Sequence, residues 1–317
     1  MNGSEDAPVA GRDVATSHQI SPANRWRFWG PAARPLVLLV LLVSSFFGNG
    51  AAEALSLGTW SVEQFTLRGK DRYVSEDVAH IARVLLRSQA AVVALQDIEG
   101  AAPLRSLTLH HLPGWRYAGN DTRGHQDLFF LWDTRRVGLL WGPKPYLAAA
   151  SFCWREKNLR LFDRPPLVAV FLDTESGCTM TLVNIHLKGC SPRDKDEGDR
   201  SLSYDSAKRG AQIQRLNDLV GTLRGLVFIL GDYNADPILG TSFPVRTLAE
   251  GFSCDGAERN FDAVGYQGIS PSPAWRVFDV EGAVPRRSSK RQEHPERDLV
   301  VLDLGTLPPV SADTSGR

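Results

Sequence analysis

The feature that most constrains the fold is an alternation of two apolar patterns that begins after residue 54. Short continuous apolar runs, for example residues 91–95 and 226–230, are typical of buried strands. Between them lie longer stretches in which apolar residues recur at helical spacing. Some strand-like runs follow one another closely and others are separated by a helix, so the sheets should be mixed. The pattern predicts a chain of the α/β class, of the α+β type.

The predicted elements are eight strands and two long helices. The first helix should have Ser75 as its N-cap, because Val78, Ile81 and Leu85 follow it at helical spacing. A second helix is marked by apolar residues from Ile213 onward. The strands are predicted at residues 55–60, 91–95, 115–117, 128–132, 167–172, 179–186, 226–230 and 299–302.

The first 54 residues differ from the rest of the chain. A polar start is followed by Arg34, the apolar run 36–47 and a small-residue stretch that ends at Ala54. This arrangement predicts a disordered leader with a signal peptide cleaved after Ala54, or a signal anchor that tethers the protein to a membrane. Residues 55–305 are predicted to form one domain, and residues 306–317 a tail. We therefore expect an exported protein, periplasmic or extracellular, with membrane contact only through its N-terminal segment.

Charge provides no general attraction to polyanions. The chain has 36 lysines and arginines against 36 aspartates and glutamates. A neutral chain must hold any nucleic acid through a local patch. A basic run at residues 286–291 could be one such patch, although a solvated flexible loop is the favoured interpretation of such a run.

The four cysteines do not form a C-x-x-C pair, which argues against a structural zinc site. Buried free thiols are the simplest interpretation. In an exported chain one or two disulfides become plausible, and Cys153 with Cys190 is the first pair to test.

Polar residues that could carry chemistry stand where predicted strands end. Asp97 follows the run 91–95, His186 ends the run 179–186, and Asp232 with Asn234 follows the run 226–230. Taken singly, each is more often a turn residue, a helix cap or a hydrogen-bonded histidine. Carboxylate oxygens at strand ends are also ligands that Mg²⁺ accepts, together with water and substrate phosphate.

Taken in order, the strings that contain these residues resemble the endonuclease/exonuclease/phosphatase superfamily. This superfamily includes pancreatic-type deoxyribonucleases, abasic-site endonucleases and neutral sphingomyelinases. The strings cover residues 58–65, 92–97, 183–188 and 231–236, with supporting stretches at 126–133 and 164–171. The resemblance spans roughly residues 55–304. It implies a four-layer sandwich in which two mixed β-sheets are flanked by helices.

The resemblance also implies a role for each matching residue. Asp97 would hold Mg²⁺ or Mn²⁺, and Asp232 would align the attacking or leaving oxygen. Asn234 would bond the phosphate, His186 would stabilise charge on the phosphoryl oxygens, and Arg164 would contact phosphate.

The sequence departs from the family pattern at several positions. Ser61, a substrate-binding candidate, stands where the family has asparagine, and Asp97 stands where it has glutamate. The family ends in Ser-Asp-His before its last strand. Ungapped, residues 295–297 (Pro-Glu-Arg) take those positions, whereas a small insertion assigns Glu293 to the metal and His294 to catalysis. Asp279 is the candidate for the partner acid on the preceding strand.

The implied function is that of a monomeric, metal-dependent phosphoesterase that hydrolyses phosphodiester bonds. Arg164 and the basic run 286–291 favour a nuclease, although no aromatic-rich basic stripe indicates base stacking. Two alternatives stay open. The substitutions are compatible with a degenerate member that binds a phosphate ligand without turnover. Exported relatives also include lipid phosphodiesterases of the sphingomyelinase or phosphoinositide type.

Overall fold

The computed structural model describes most of the predicted domain. The described residues are 54–69, 72–122, 124, 126–189, 198–234, 245–247, 251–252, 258–259, 262–268, 273–278 and 299–307. The predicted leader, the basic run 286–291, Asp279, Glu293 and His294 lie outside them, so export and the C-terminal motif stay predictions. In the described part of the chain, no helix has the length and apolar character needed to cross a membrane.

The elements follow one another in the mixed order that the sequence predicts. All eight predicted strands are present, and the described residues add further strands and a short helix. In chain order they are β1 Leu55–Phe65, α1 Ser75–Ser88, β2 Val92–Ile98, α2 Ala102–His110, β3 Trp115–Gly119, β4 Asp127–Asp133, β5 Val137–Pro145, β6 Ser151–Trp154, β7 Lys157–Arg160, β8 Leu167–Asp173, β9 Thr179–His186, α3 Gly198–Thr222, β10 Leu226–Asp232, β11 Val245–Thr247, β12 Gly251–Phe252, β13 Glu258–Arg259, β14 Asp262–Gln267, β15 Ala274–Phe278 and β16 Leu299–Gly305.

Two six-stranded sheets contain most of these strands. The first has the order β15-β16-β1-β2-β4-β3 and the second has the order β11-β14-β10-β9-β8-β5. Each is mixed, because β1 runs parallel to β2 and β9 runs parallel to β10, whereas the other neighbours are antiparallel. Two small hairpins, β6–β7 and β12–β13, lie outside the sheets.

The four layers arise from residue alternation along the strands. Leu57 and Phe130 of the first sheet pack with Phe228 of the second, in a core between the sheets. The opposite face of the first sheet packs against α1 and α2, and the opposite face of the second packs against α3. Both faces of the central strands are thus buried, which explains their nearly continuous apolar runs. The predicted four-layer sandwich of two mixed sheets is confirmed.

The start of α1 differs from the prediction. The helix begins at Ser75 itself and its N-cap is Val74. The backbone N–H of Val74 donates to the Asp77 carboxylate at 2.8 Å, while the Ser75 hydroxyl lies against Glu76. The side chain of Asp77 therefore closes the first turn, one of the two bonds of a capping box.

A polar tie joins the two sheets inside their common core. Gln96 on β2 and Asn184 on β9 are both fully buried, and the Gln96 Nε2 donates to the Asn184 Oδ1 at 2.8 Å. Asn184 returns two bonds to the first sheet, through Nδ2, to the carbonyl oxygens of Leu95 at 3.0 Å and Phe129 at 2.9 Å. Gln96 also bonds the Thr59 hydroxyl and the Ala94 carbonyl within its own sheet. The bonds between Gln96 and Asn184, and from Asn184 to the first sheet, cross the interface and hold the sheets in one register.

The described part of the chain contains two cysteines, which do not form a disulfide with each other. Cys153 is exposed on β6, and Cys178 is buried beside the core between the sheets. Cys190 and Cys254 lie outside the described residues, so a Cys153–Cys190 disulfide stays a prediction.

His80 on α1 is a buried histidine without a polar partner among the described residues. It is 2% exposed, and neither ring nitrogen has a hydrogen-bond partner there. Burial lowers the pKa of His80, Arg83 lowers it further, and Asp77 opposes the shift. The folded domain therefore holds this ring in its neutral form.

Breaking the polar tie should destabilise the domain. Gln96→Leu or Asn184→Leu removes the bond between the two amides and leaves the other amide buried with one partner fewer, so each should cost about 2–3 kcal/mol in free energy of unfolding. The double variant should cost less than the sum, because no orphaned amide remains. Urea denaturation of the four proteins measures this coupling. Additive costs would show that the tie does not act as a unit.

Acid should destabilise the domain through His80. The unfolded chain takes up a proton near the ordinary pKa of 6.5, and the folded chain excludes it. The stability that comes from holding His80 neutral is fully present above that pH. It is lost as the pH falls below it, at up to about 1.4 kcal/mol of unfolding free energy per pH unit. Urea denaturation from about pH 8 to about pH 5 should show a shallower slope for His80→Leu than for the wild type. His110→Leu, at an exposed position on α2, is the matched control. Equal slopes for the wild type and His80→Leu would contradict this assignment.

Candidate functional site

The candidate site lies where the parallel strand pairs of both sheets end. In the first sheet Ser61 on β1 pairs with Gln96 on β2, one residue before Asp97. In the second sheet His186 on β9 pairs with Asp232, the last residue of β10. Because the carboxyl ends of these strands reach the same side of the sandwich, distant stretches of sequence meet at one rim.

His186 stands between two carboxylates, one from each sheet. Its Nδ1 lies 3.4 Å from the Asp97 Oδ1, and its Nε2 lies 3.5 Å from the Asp232 Oδ2. The side chains are nearly or fully enclosed, with 5% of His186, 10% of Asp97 and none of Asp232 exposed. Both distances are longer than a strong charge-assisted hydrogen bond. The imidazole can therefore shift toward a third group without leaving the cluster.

Asp97 lies at an irregularity in strand β2. Its φ is +61°, in the left-handed region. The register of β2 against β4 shifts between Leu95 and Ile98, and the register of β1 against β2 shifts between Ser61 and Phe65. The Ser61 hydroxyl donates to the Asp97 Oδ2 at 3.1 Å. The backbone thus leaves the extended conformation at Asp97.

Ser61 supports Asp97 rather than facing open space. It is fully buried, and its hydroxyl donates a hydrogen bond to the Asp97 carboxylate. The sequence assigned Ser61 to substrate binding, which stays a prediction; the structure places its hydroxyl against the Asp97 carboxylate. The Asp97 carboxylate lies within hydrogen-bond distance of this small side chain.

The end of β10 places Asp232 and Asn234 by two unusual backbone conformations. Gly231 has a φ of +148°, and a Cβ there would lie 2.0 Å from the Ile185 carbonyl oxygen, so only glycine fits. Asn234 has a φ of +50°, its N–H donates to the Asp232 Oδ1 at 2.9 Å, and its Nδ2 donates to the Leu187 carbonyl at 3.1 Å. The second N–H of that amide has no acceptor among the described residues.

Arg164 borders the cluster from the connection between β7 and β8. Its Nε donates to the His186 carbonyl at 3.3 Å, its Nη2 to the Leu187 carbonyl at 3.0 Å, and its Nη1 to Gln126. Burial lowers the pKa of Arg164, while the charges of Asp97 and Asp232 raise it. A guanidinium stays charged under these conditions. A fixed positive charge therefore adjoins both carboxylates, and its fork still has donors for a phosphate oxygen.

Helix α3 fixes the segment that follows His186. The Gln212 side chain accepts a bond from the Lys188 N–H at 2.9 Å, and the Arg209 guanidinium donates to the Lys188 carbonyl at 3.0 Å. The Lys188 ammonium lies 3.2 Å from Asp205, which is buried. These polar contacts hold the backbone next to the site.

Oxygen donors on this rim suit a hard divalent ion. Asp97 supplies a carboxylate that Ser61 orients, and Mg²⁺ is commonly held by one or two carboxylates with water and substrate phosphate filling the remaining positions. Within the part of the chain that the structure describes, no group of three or more histidine, cysteine or acidic residues is arranged to hold a metal. Asp97 is thus the donor that fits, and Glu293 lies outside the described residues.

The structure brings most of the predicted site residues together. Asp97, His186, Asp232 and Asn234 meet at one rim, with Arg164 beside them. Asp279, Glu293 and His294 lie outside the described residues, so their placement stays a prediction. Three residues that support the site were not predicted, namely Gln96, Gln126 and Asn184. Strand alternation was the available signal for two of them, because Gln96 and Asn184 continue the inward-facing series of their strands.

Comparison with known proteins gives structural matches only. The sequence matches no protein-family model and no curated protein. TDP2 from D. rerio, solved with a single-strand DNA product, matches with TM-score 0.54 and 14% identity over 80% of this chain and 100% of that one. A mannosyl-6-phosphatase from Bacteroides thetaiotaomicron gives 0.53 and 12% over 80% and 100%. An endonuclease/exonuclease/phosphatase family protein from the same organism gives 0.51 and 13% over 80% and 99%.

The described sandwich therefore has the endonuclease/exonuclease/phosphatase fold, as the four sequence strings predicted. At these identities the likeness concerns the path of the backbone. What this chain does must follow from its own rim residues.

Gly231→Ala should destabilise the domain by about 2 kcal/mol or more, because the added Cβ meets a carbonyl oxygen in a left-handed conformation. Gly138→Ala on β5 is the matched control, since a Cβ there meets nothing within 4 Å. Its cost should stay within about 0.5 kcal/mol. Thermal and urea unfolding compare the two, and equal costs would contradict the close approach of β9 and β10.

Proposed function

We propose that this chain is a divalent-metal-dependent phosphoesterase whose reacting groups are the cluster on the shared rim. One observation supports this most strongly: the His186 ring lies between the carboxylates of Asp97 and Asp232, at 3.4 and 3.5 Å. The two acids are contributed by different sheets. A purely structural turn at either strand end would not require this convergence.

Each residue of the cluster has a distinct task in the proposed reaction. Asp232 orients the oxygen that enters or leaves, through the Oδ2 that faces His186. Asn234, held by its bond to Leu187, gives its remaining N–H to the phosphate. His186 shifts from its long contacts to a phosphoryl oxygen, as catalytic hydrogen bonds tighten once substrate is bound. Arg164 adds positive charge beside the same group.

The overall step needs only water as a second reactant. A water oxygen forms a bond to phosphorus, the bond from phosphorus to the alcohol oxygen breaks, and the alcohol leaves with a proton. Asp97 would hold the metal, with Ser61 fixing the carboxylate. A bound divalent ion supplies positive charge for the phosphoryl oxygens and makes the attacking water more acidic.

Within this class, a nuclease is the finer proposal that Arg164 and the basic run 286–291 favour. Arg164 supports it with a fixed charge beside the cluster, whereas the basic run lies outside the described residues. Two alternatives are a protein that binds phosphate without turnover and a lipid phosphodiesterase. The assay below distinguishes them from a nuclease.

Asp232→Asn should lower metal-dependent hydrolysis by at least about 100-fold, because the uncharged amide replaces the carboxylate that accepts and orients the entering or leaving oxygen. The purified protein is assayed with bis-p-nitrophenyl phosphate, plasmid DNA, an abasic duplex and sphingomyelin, first with Mg²⁺ or Mn²⁺ and then with EDTA. Asp218→Asn, on the exposed face of α3, is the matched control and should keep full activity.

Three outcomes would decide the proposal. Activity that EDTA abolishes and Asp232→Asn removes, in a variant with normal circular dichroism and an unchanged melting profile, supports it. Hydrolysis that persists in Asp232→Asn would show that the cluster is not the reacting centre. A well-folded protein that binds phosphate but never turns over any substrate would leave only the binding role.

A further inference from the structure

A polar cleft of about 660 Å³ opens beside Arg164. Its walls come from the end of β1, the connection between β3 and β4, and the connection between β7 and β8. Its volume is in the range of small-molecule sites. The polar side chains that line it include Gln64, Asn120, Thr122, Gln126, Arg160 and Arg164.

Arg164 connects this cleft to the rim. Its Nε and Nη2 donate to the carbonyls of His186 and Leu187, while its Nη1 donates to Gln126 inside the cleft. The charges of Asp97 and Asp232 act on the same guanidinium. A phosphate at the rim and a group in the cleft can therefore belong to one molecule, with Arg164 between them.

Two arginines and two aspartates are among the residues that line the cleft. Asp163 is paired with the Lys208 ammonium, at 2.8 Å from both carboxylate oxygens. Asp127 is buried and accepts bonds from the Thr122 hydroxyl and, at 3.2 Å, from its N–H. Both acids are thus engaged within the protein. Arg160, which is exposed, adds a second guanidinium to that of Arg164.

The remaining groups are suited to hydroxyls. The carboxamides of Gln64, Asn120 and Gln126 both donate and accept hydrogen bonds, as alcohol groups do. None of the described residues that line the cleft is aromatic. A separate groove does have aromatic walls, from Trp115 and Trp132. Stacking of a nucleobase needs such a ring, which the described lining of the cleft beside Arg164 does not offer.

We infer that this cleft binds the hydroxylated part of a phosphorylated sugar or polyol whose phosphate lies at the rim. This substrate class rests on the proposed phosphoesterase function and, within it, takes the place of the nuclease. Carboxamides in the cleft would bond the hydroxyls, and Arg160 would bond a second anionic or hydroxyl group. Specificity then comes from the cleft, while bond breaking belongs to the cluster around His186.

The test uses the full chain, with glucose 6-phosphate and glycerophosphoinositol as probes. Arg160→Gln and Asn120→Leu each remove one polar contact of the cleft. Each should raise KM for these probes about 10-fold and leave kcat within about twofold, because the reacting atoms lie elsewhere. Arg116→Gln, an exposed arginine on β3, is the matched control and should leave both constants unchanged.

A binding measurement separates failure of this inference from failure of the proposed function. Calorimetry with glucose 6-phosphate in EDTA should show saturable binding that Arg160→Gln weakens about 10-fold, whether or not the protein turns over. Absence of saturable binding would overturn the cleft assignment even if phosphodiesters are hydrolysed. The assignment would also be overturned if DNA or sphingomyelin were hydrolysed faster than the two probes and neither Arg160→Gln nor Asn120→Leu changed that rate. Sugar-phosphate binding without hydrolysis of any ester would instead refute the proposed function and leave the cleft assignment standing.

Discussion

The buried amide pair of Gln96 and Asn184 is the interaction on which the rest of the structure depends. The apolar core between the sheets is non-directional, so it would tolerate one sheet sliding over the other. The amide bonds do not tolerate this, because each needs a partner at about 2.9 Å and a buried amide without one is costly. Asp97 directly follows Gln96, and His186 lies two residues beyond Asn184. The pair that sets the sheet register therefore also sets the distance between the two halves of the site.

The rim is the polar end of an otherwise apolar interface. Along β9 the inward-facing residues run from Met180 and Leu182 to Asn184 and then His186, so polarity increases toward one edge. Along β10 the inward series ends in Asp232 in the same way. The fold thus brings carboxylates, an imidazole and a guanidinium together at low exposure, where their mutual interactions are stronger than in water.

Much of this could be predicted from the sequence, because strong signals lie within single elements. The eight strands and both long helices follow from apolar patterns, whereas the four rim residues were assigned because strings at strand ends, taken in order, resemble a known family. The Gln96–Asn184 tie could not be predicted, since alternation says which way a side chain faces but not which strand lies opposite. The N-cap of α1 was mispredicted at Ser75, because the Asp77 side chain closes the turn instead. The role of Ser61 likewise depended on the irregular geometry around Asp97, which no local pattern encodes.

The division of the rim between the sheets has a consequence for synthesis. Asp97 leaves the ribosome long before Asp232, and β10 cannot complete the second sheet until α3 has been made. A nascent chain therefore carries one carboxylate of the pair without the other while the residues between Asp97 and Asp232 are synthesised. The rim is incomplete in the nascent chain, and whatever chemistry it performs begins only after the late strands have docked.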